Sequence, residues 1–76
     1  MHSYGVGYLQ MNLVVNGEPH DHHGRGTIGE LLEECQANPS RTAIMINGEV
    51  VPRSQWESIG LSEDDHVELL VFAGGG

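Results

Sequence analysis

Thr27-Ile28-Gly29-Glu30-Leu31-Leu32-Glu33-Glu34-Cys35 is the stretch on which the fold turns. Thr27 can accept a hydrogen bond from the Glu30 amide while the Glu30 side chain reaches back to the Thr27 amide, the capping-box spacing that opens a helix. Ile28, Leu31, Leu32 and Cys35 fall at i, i+3, i+4 and i+7, one apolar stripe. Glu30, Glu33 and Glu34 are left to water and to the positive N-terminal end. Asn38-Pro39 predicts the stop, since a proline disfavours helical backbone in the residue before it. Such a helix has one face to bury, and the rest of the chain must supply the surface.

That surface reads as a sheet. Met11, Leu13 and Val15 alternate with Asn12 and Val14 before Asn16-Gly17, a strand entering a hairpin turn. The return arm, Glu18 to His23, is polar and carries Pro19, which cannot donate to a ladder and so belongs at a sheet edge. Beyond the helix, Thr42 to Ile46 meets a second Asn-Gly turn at Asn47-Gly48, and Glu49-Val50-Val51-Pro52 returns. Trp56 and Ile59 sit in a connecting segment closed by Gly60. His66 to Phe72 reads as the last strand, with Val67, Leu69 and Val71 on one face. The class is α+β: one helix across a small mixed sheet of four to five strands. Residues 1–10 lack patterned hydrophobicity and read as an extension, residues 11–73 as the domain, and residues 74–76 as a flexible glycine tail.

Seventy-six residues make one small domain, too short to wall off a deep desolvated active site, so the chain reads as a non-enzyme. The single cysteine excludes an internal disulfide, and no apolar run is long enough to span a bilayer. A cytoplasmic setting is the expectation. Eleven acidic residues against three arginines give a formal net charge of −8, which repels nucleic acid and anionic membranes and favours basic protein surfaces.

Gly74-Gly75-Gly76 is the most specific feature of the sequence. Glycine is a poor way to finish a stable strand, yet backbone this thin can thread a narrow channel and set its last carboxylate beside a nucleotide. A carboxylate becomes a useful electrophile once ATP converts it to an acyl adenylate, from which a sulfur or amine nucleophile displaces AMP.

Three segments carry a family resemblance: Thr27 to Leu32, Ile46 to Trp56 (Ile-Asn-Gly-Glu-Val-Val-Pro-Arg-Ser-Gln-Trp), and Glu68 to Gly76. Together they closely resemble the ThiS sulfur carriers of thiamin biosynthesis, over Met11 to Gly76. The resemblance implies a β-grasp, ubiquitin-like fold and adenylation of Gly76 by a ThiF-type activating enzyme using ATP. It further implies a thiocarboxylate charged by a cysteine desulfurase or another sulfur donor, with thiazole synthase, ThiG-type, as receiver. Gly76 would carry the sulfur, Gly74 and Gly75 would thread the partner's channel, and the domain would bind no cofactor itself. Carriers for molybdopterin or cysteine synthesis, and ubiquitin-like modifiers or binding modules, share the diglycine and stay open as alternatives.

Cys35 lies on the apolar stripe with nothing nearby in sequence to stabilise a thiolate, and reads as core. His20, Asp21, His22 and His23 place two imidazoles on one strand face, a possible start of a metal site, but read better as a solvated edge strand with no metal. Strand alternation sends Ile44, Ile46, Val67, Leu69 and Val71 inward and leaves Met45, Leu70 and Phe72 as an apolar patch leading to the tail, expected to meet the partner. Arg53 and Trp56 read as local packing.

Overall fold

The computed structural model describes residues 9–73. Strands β1 (Leu9–Val15) and β2 (Glu18–Gly24) form a hairpin, helix α1 (Ile28–Glu34) follows, and a 3-10 turn at Pro39–Arg41 leads to β3 (Thr42–Ile46). The short β4 (Glu49–Val50), a second 3-10 turn at Arg53–Gln55, and β5 (His66–Val71) complete the chain. The five strands lie in the order β2-β1-β5-β3-β4. β1 and β5 run parallel at the centre, with Val14 opposite His66, and the other pairs are antiparallel. This is the α+β arrangement expected, with five strands.

Local chemistry explains the elements. Asn16 and Gly17 (φ 51° and 83°) and Asn47 and Gly48 (φ 52° and 86°) both place two successive residues in the left-handed region. That backbone turns a two-residue hairpin with the twist its strands require. β2 occupies a sheet edge, where the N–H that Pro19 lacks is not missed. β1 begins at Leu9, opposite Gly24, so the sheet takes in residues 9 and 10, where the hydrophobic pattern predicts an extension.

The capping box forms as read: Thr27 Oγ1 accepts from the Glu30 amide at 3.1 Å, and Glu30 Oε1 accepts from the Thr27 amide at 3.3 Å. The helix stops earlier than Asn38-Pro39 predicts. Gln36 adopts φ 57°, the Gln36 amide bonds to the Glu33 carbonyl and the Ala37 amide to the Leu32 carbonyl. This is a Schellman closure with glutamine in the left-handed position glycine usually fills. Cys35 is therefore the C-cap, half-buried, and not a member of the buried stripe.

Ile28, Leu31 and Leu32 are all but fully buried, against Met11 and Leu13 of β1, Ile44 of β3, and Val67 and Leu69 of β5. Each such side chain contributes about 1.5–3 kcal/mol by leaving water. The second hairpin is shorter than expected: β4 ends at Val50, and Val51 turns into the core with its amide on the Ile44 carbonyl at 2.9 Å. Trp56 Nε1 donates to the Val51 carbonyl at 3.0 Å, and the Arg53 guanidinium stacks 4.7 Å from the Trp56 ring centroid. Both residues thus fix their loop, the role read for them.

Candidate functional site: the root of the glycine tail

The tail leaves from β5, and two hairpin-turn asparagines hold that strand. Asn47 Oδ1 accepts from the His66 amide at 2.9 Å, at the start of β5. Asn16 Oδ1 accepts from the Leu69 amide at 2.8 Å and its Nδ2 donates to the Leu69 carbonyl at 3.4 Å. The Phe72 amide then bonds to the Arg41 carbonyl at 2.8 Å. The chain is held up to one residue before Ala73; Gly74, Gly75 and Gly76 lie outside the described residues.

Cross-strand register sorts the side chains around this root. Ala43 stands opposite Leu70, Met45 opposite both Glu68 and Val50, and partners in register share a face. The face away from the helix therefore carries Ala43, Met45, Val50 and Leu70 beside Glu68. Leu70 is 47% exposed and Val50 67%, whereas Met45 is half-buried. Val50 is an addition that the Asn47-Gly48 turn makes legible, because a two-residue turn fixes which residue of β4 opposes Met45.

Two positions depart from strict alternation. Alternation predicts Val71 inward, but it is 63% exposed, because α1 closes at Glu34 and leaves the last residue of β5 uncovered. Phe72 is 60% exposed as expected, but it lies one residue past β5 and lines a groove beside the end of the helix instead of continuing the outer face. Cys35 lines the same groove. Burial, and secondarily the charge of Glu34, push its thiol pKa up, which disfavours the nucleophilic thiolate.

The histidine cluster is not the solvated edge its composition suggested. His20 and His22 face the helix, and His22 is fully buried. The Gly26 amide donates to His22 Nε2 at 3.0 Å, so the ring proton sits on Nδ1, which donates to Glu34 Oε1 at 3.0 Å. His20 Nε2 donates to the same oxygen at 2.8 Å, and the His23 amide to Glu34 Oε2 at 2.9 Å. With both ring nitrogens of His22 committed, no lone pair is left for a metal. Among the described residues no group of three metal-ligating side chains is placed to hold a metal ion.

Two carboxylates read as solvated are likewise engaged. Burial pushes the pKa of Glu34 up, but the hydrogen bonds from His20, His22 and the His23 amide outweigh it and hold the carboxyl below its ordinary value. The Arg25 amide, 2.7 Å from Glu30 Oε1, is the main cause of the lowered pKa of Glu30, with Thr27 adding to it.

Among the described residues no helix is long and apolar enough to cross a membrane. Comparison with known proteins agrees with this geometry. Residues 13–76 match the model of the ThiS family. The chain is 38% identical over 50 residues to the sulfur carrier protein ThiS of Escherichia coli, covering 64% of this chain and 76% of that one. It is 33% identical over 66 residues to a thiazole synthase of Paramagnetospirillum magneticum, matching 87% of this chain but only 20% of that protein's length. The crystal structure of the thiamine biosynthesis protein ThiS from Geobacter metallireducens superposes with a TM-score of 0.71 at 36% identity, covering 87% of this chain and all of that one. A ubiquitin-like domain of the 4931431F19Rik protein, 14% identical with a TM-score of 0.58, shares the fold alone. The fold is the β-grasp, and the chain belongs to the ThiS family.

Proposed function

We propose that the chain is a sulfur carrier in thiamin biosynthesis and acts as a protein cosubstrate in the cytoplasm. Its Gly76 carboxylate attacks the α-phosphorus of ATP on a ThiF-type activating enzyme, releasing pyrophosphate and forming an acyl adenylate. The persulfide sulfur supplied through a cysteine desulfurase or a comparable donor then displaces AMP to give an acyl disulfide. A thiol of the donor system reduces its S–S bond, leaving a disulfide on the donor side and a thiocarboxylate on Gly76, which gives its sulfur to a ThiG-type thiazole synthase. ATP belongs to the activating enzyme; the domain brings no catalytic side chain and needs no bound cofactor.

The observation that carries this reading is the root of the tail. Asn16 and Asn47 hold β5 and the Arg41 carbonyl holds the Phe72 amide, shortly before the Gly74-Gly75-Gly76 sequence, which has no side chains to obstruct a narrow partner channel. Ordering Gly74 and Gly75 in a partner's channel costs entropy, which a folded docking surface must offset. Met45, Leu70 and Val50 supply apolar area on the face away from the helix, where Glu68 beside them suits a basic partner, and Phe72 adds apolar area from the groove on the other side of β5. Two curated thiazole synthases contain a region similar to this chain, and the chain spans about a fifth of their length, which supports a thiazole synthase as receiver. Chain-dependent exchange of labelled pyrophosphate into ATP by the activating enzyme tests the first step. Exchange with the intact chain and none after removal of Gly76 is the expected result, and exchange indifferent to Gly76 would refute it.

A further inference from the structure

The uncovered end of β5 opens onto a groove of about 490 Å³ on the helix side of the sheet. Its apolar wall is Leu69, Val71, Phe72 and Ala37, and its polar rim includes Asn38 and Gln36. Arg41 is, among the described residues, the one charged side chain lining it. Among the described residues Arg41 has no carboxylate within ion-pair distance, in a chain with eleven acidic residues, since the three pairs present all join histidines to Glu30 or Glu34. The groove and the tail root are also one unit. The Arg41 carbonyl accepts from the Phe72 amide at 2.8 Å, so the groove adjoins the last described residues before the glycines.

We infer that this groove is a second docking seat, on the opposite side of β5 from the Leu70 face, and that it takes an apolar segment bearing one carboxylate from the activating enzyme. The inference rests on the carrier reading and adds the chemistry of the partner's contact. Charge complementarity argues for that occupant. The chain as a whole draws basic surfaces, yet among the described residues the only charge in the groove is a guanidinium, whose planar fork matches a carboxylate in two-point contact. Val71 and Phe72, exposed by 63% and 60%, are the apolar area such a segment would cover. Two seats of opposite charge preference on either side of one strand fix the orientation of the tail better than one face could.

The test uses the full chain with the activating enzyme. Calorimetric affinity is compared for the wild type, Arg41→Glu, Arg41→Lys and Arg25→Glu. Arg25→Glu makes the same charge change in the loop before α1, at the other end of the helix, and so reads the long-range effect alone. We expect Arg41→Glu to weaken binding on the order of tenfold or more beyond Arg25→Glu, Arg41→Lys to fall between it and the wild type, and Val71→Ser to weaken binding with an unchanged melting temperature. Equal losses for Arg41→Glu and Arg25→Glu would overturn the seat. If the wild type binds and is adenylated in that case, the carrier reading stands without it; if the wild type is never adenylated, the carrier reading itself fails.

Discussion

Asn16 brackets the backbone of Leu69 from a turn 53 residues earlier in the chain, accepting from its amide and donating to its carbonyl. The contact closes β5 against the first hairpin three residues before Phe72, and so couples a local turn to the exit of the tail. Asn16 does this while holding φ at 51°, a backbone that asparagine tolerates and most residues resist.

Asn16→Gly and Asn16→Ala separate the two roles. Glycine keeps the backbone conformation and loses only the bracket, which should cost about 1–2 kcal/mol of unfolding free energy, with alanine adding about 1 kcal/mol of strain. Urea denaturation of both variants checks the order, and equal stabilities would mean that the φ angle carries no strain.

His22→Leu should be among the most damaging single changes on β2. It leaves the Gly26 amide without its acceptor in a buried site and removes one donor from Glu34, at a cost of about 2–4 kcal/mol. Chemical denaturation reads the loss directly. A near-neutral result would show that the apolar side chain repacks and that the hydrogen bonds contribute little net stability.

Glu34 gives the fold an acid-sensitive clasp. Its folded-state pKa lies below the ordinary 4.5, so its stabilisation is fully present above that value and is lost as the pH falls through the depressed folded value. Glu34→Gln should therefore be less stable than the wild type near neutral pH, by about 1–2 kcal/mol, and the difference should shrink below pH 4.5. Parallel melts across that range decide it, and a gap independent of pH would remove the carboxylate's charge from the account.

What could be read in advance was whatever local chemistry determines. The capping box at Thr27 and Glu30, both Asn-Gly turns and the edge position of Pro19 depend on residues a few positions apart, and each stands where the sequence puts it. His22 and Glu34 are different, because neither residue's own segment reveals that the helix crosses over β2. The early helix stop and the exposure of Val71 share one cause, a Schellman closure built on Gln36 where no glycine announces it. At the site, the outer position of Leu70 followed from alternation, while the turn of Phe72 into the groove depended on where β5 ends.

Leu70→Glu should weaken binding to the activating enzyme while leaving the melting temperature within the range of surface substitutions, because the side chain is half exposed on the face away from the helix. A carboxylate placed in a desolvated contact costs on the order of several kcal/mol. Unchanged affinity in a calorimetric titration would take the outer face out of the docking surface.

Cys35→Ala should lower stability by about 1 kcal/mol through lost packing at the helix end and leave sulfur loading intact, since burial disfavours its thiolate. A folded Cys35→Ala chain that no longer accepts sulfur would make the thiol part of the chemistry.

Intact mass spectrometry of the chain after incubation with the activating enzyme, ATP and a sulfur donor tests the central claim most directly. The account predicts a mass gain corresponding to one sulfur in place of one oxygen, localised to Gly76 and absent from a chain ending at Gly75. A chain that keeps its mass under conditions where a known carrier is charged, or that gains sulfur equally well without Gly76, would contradict it.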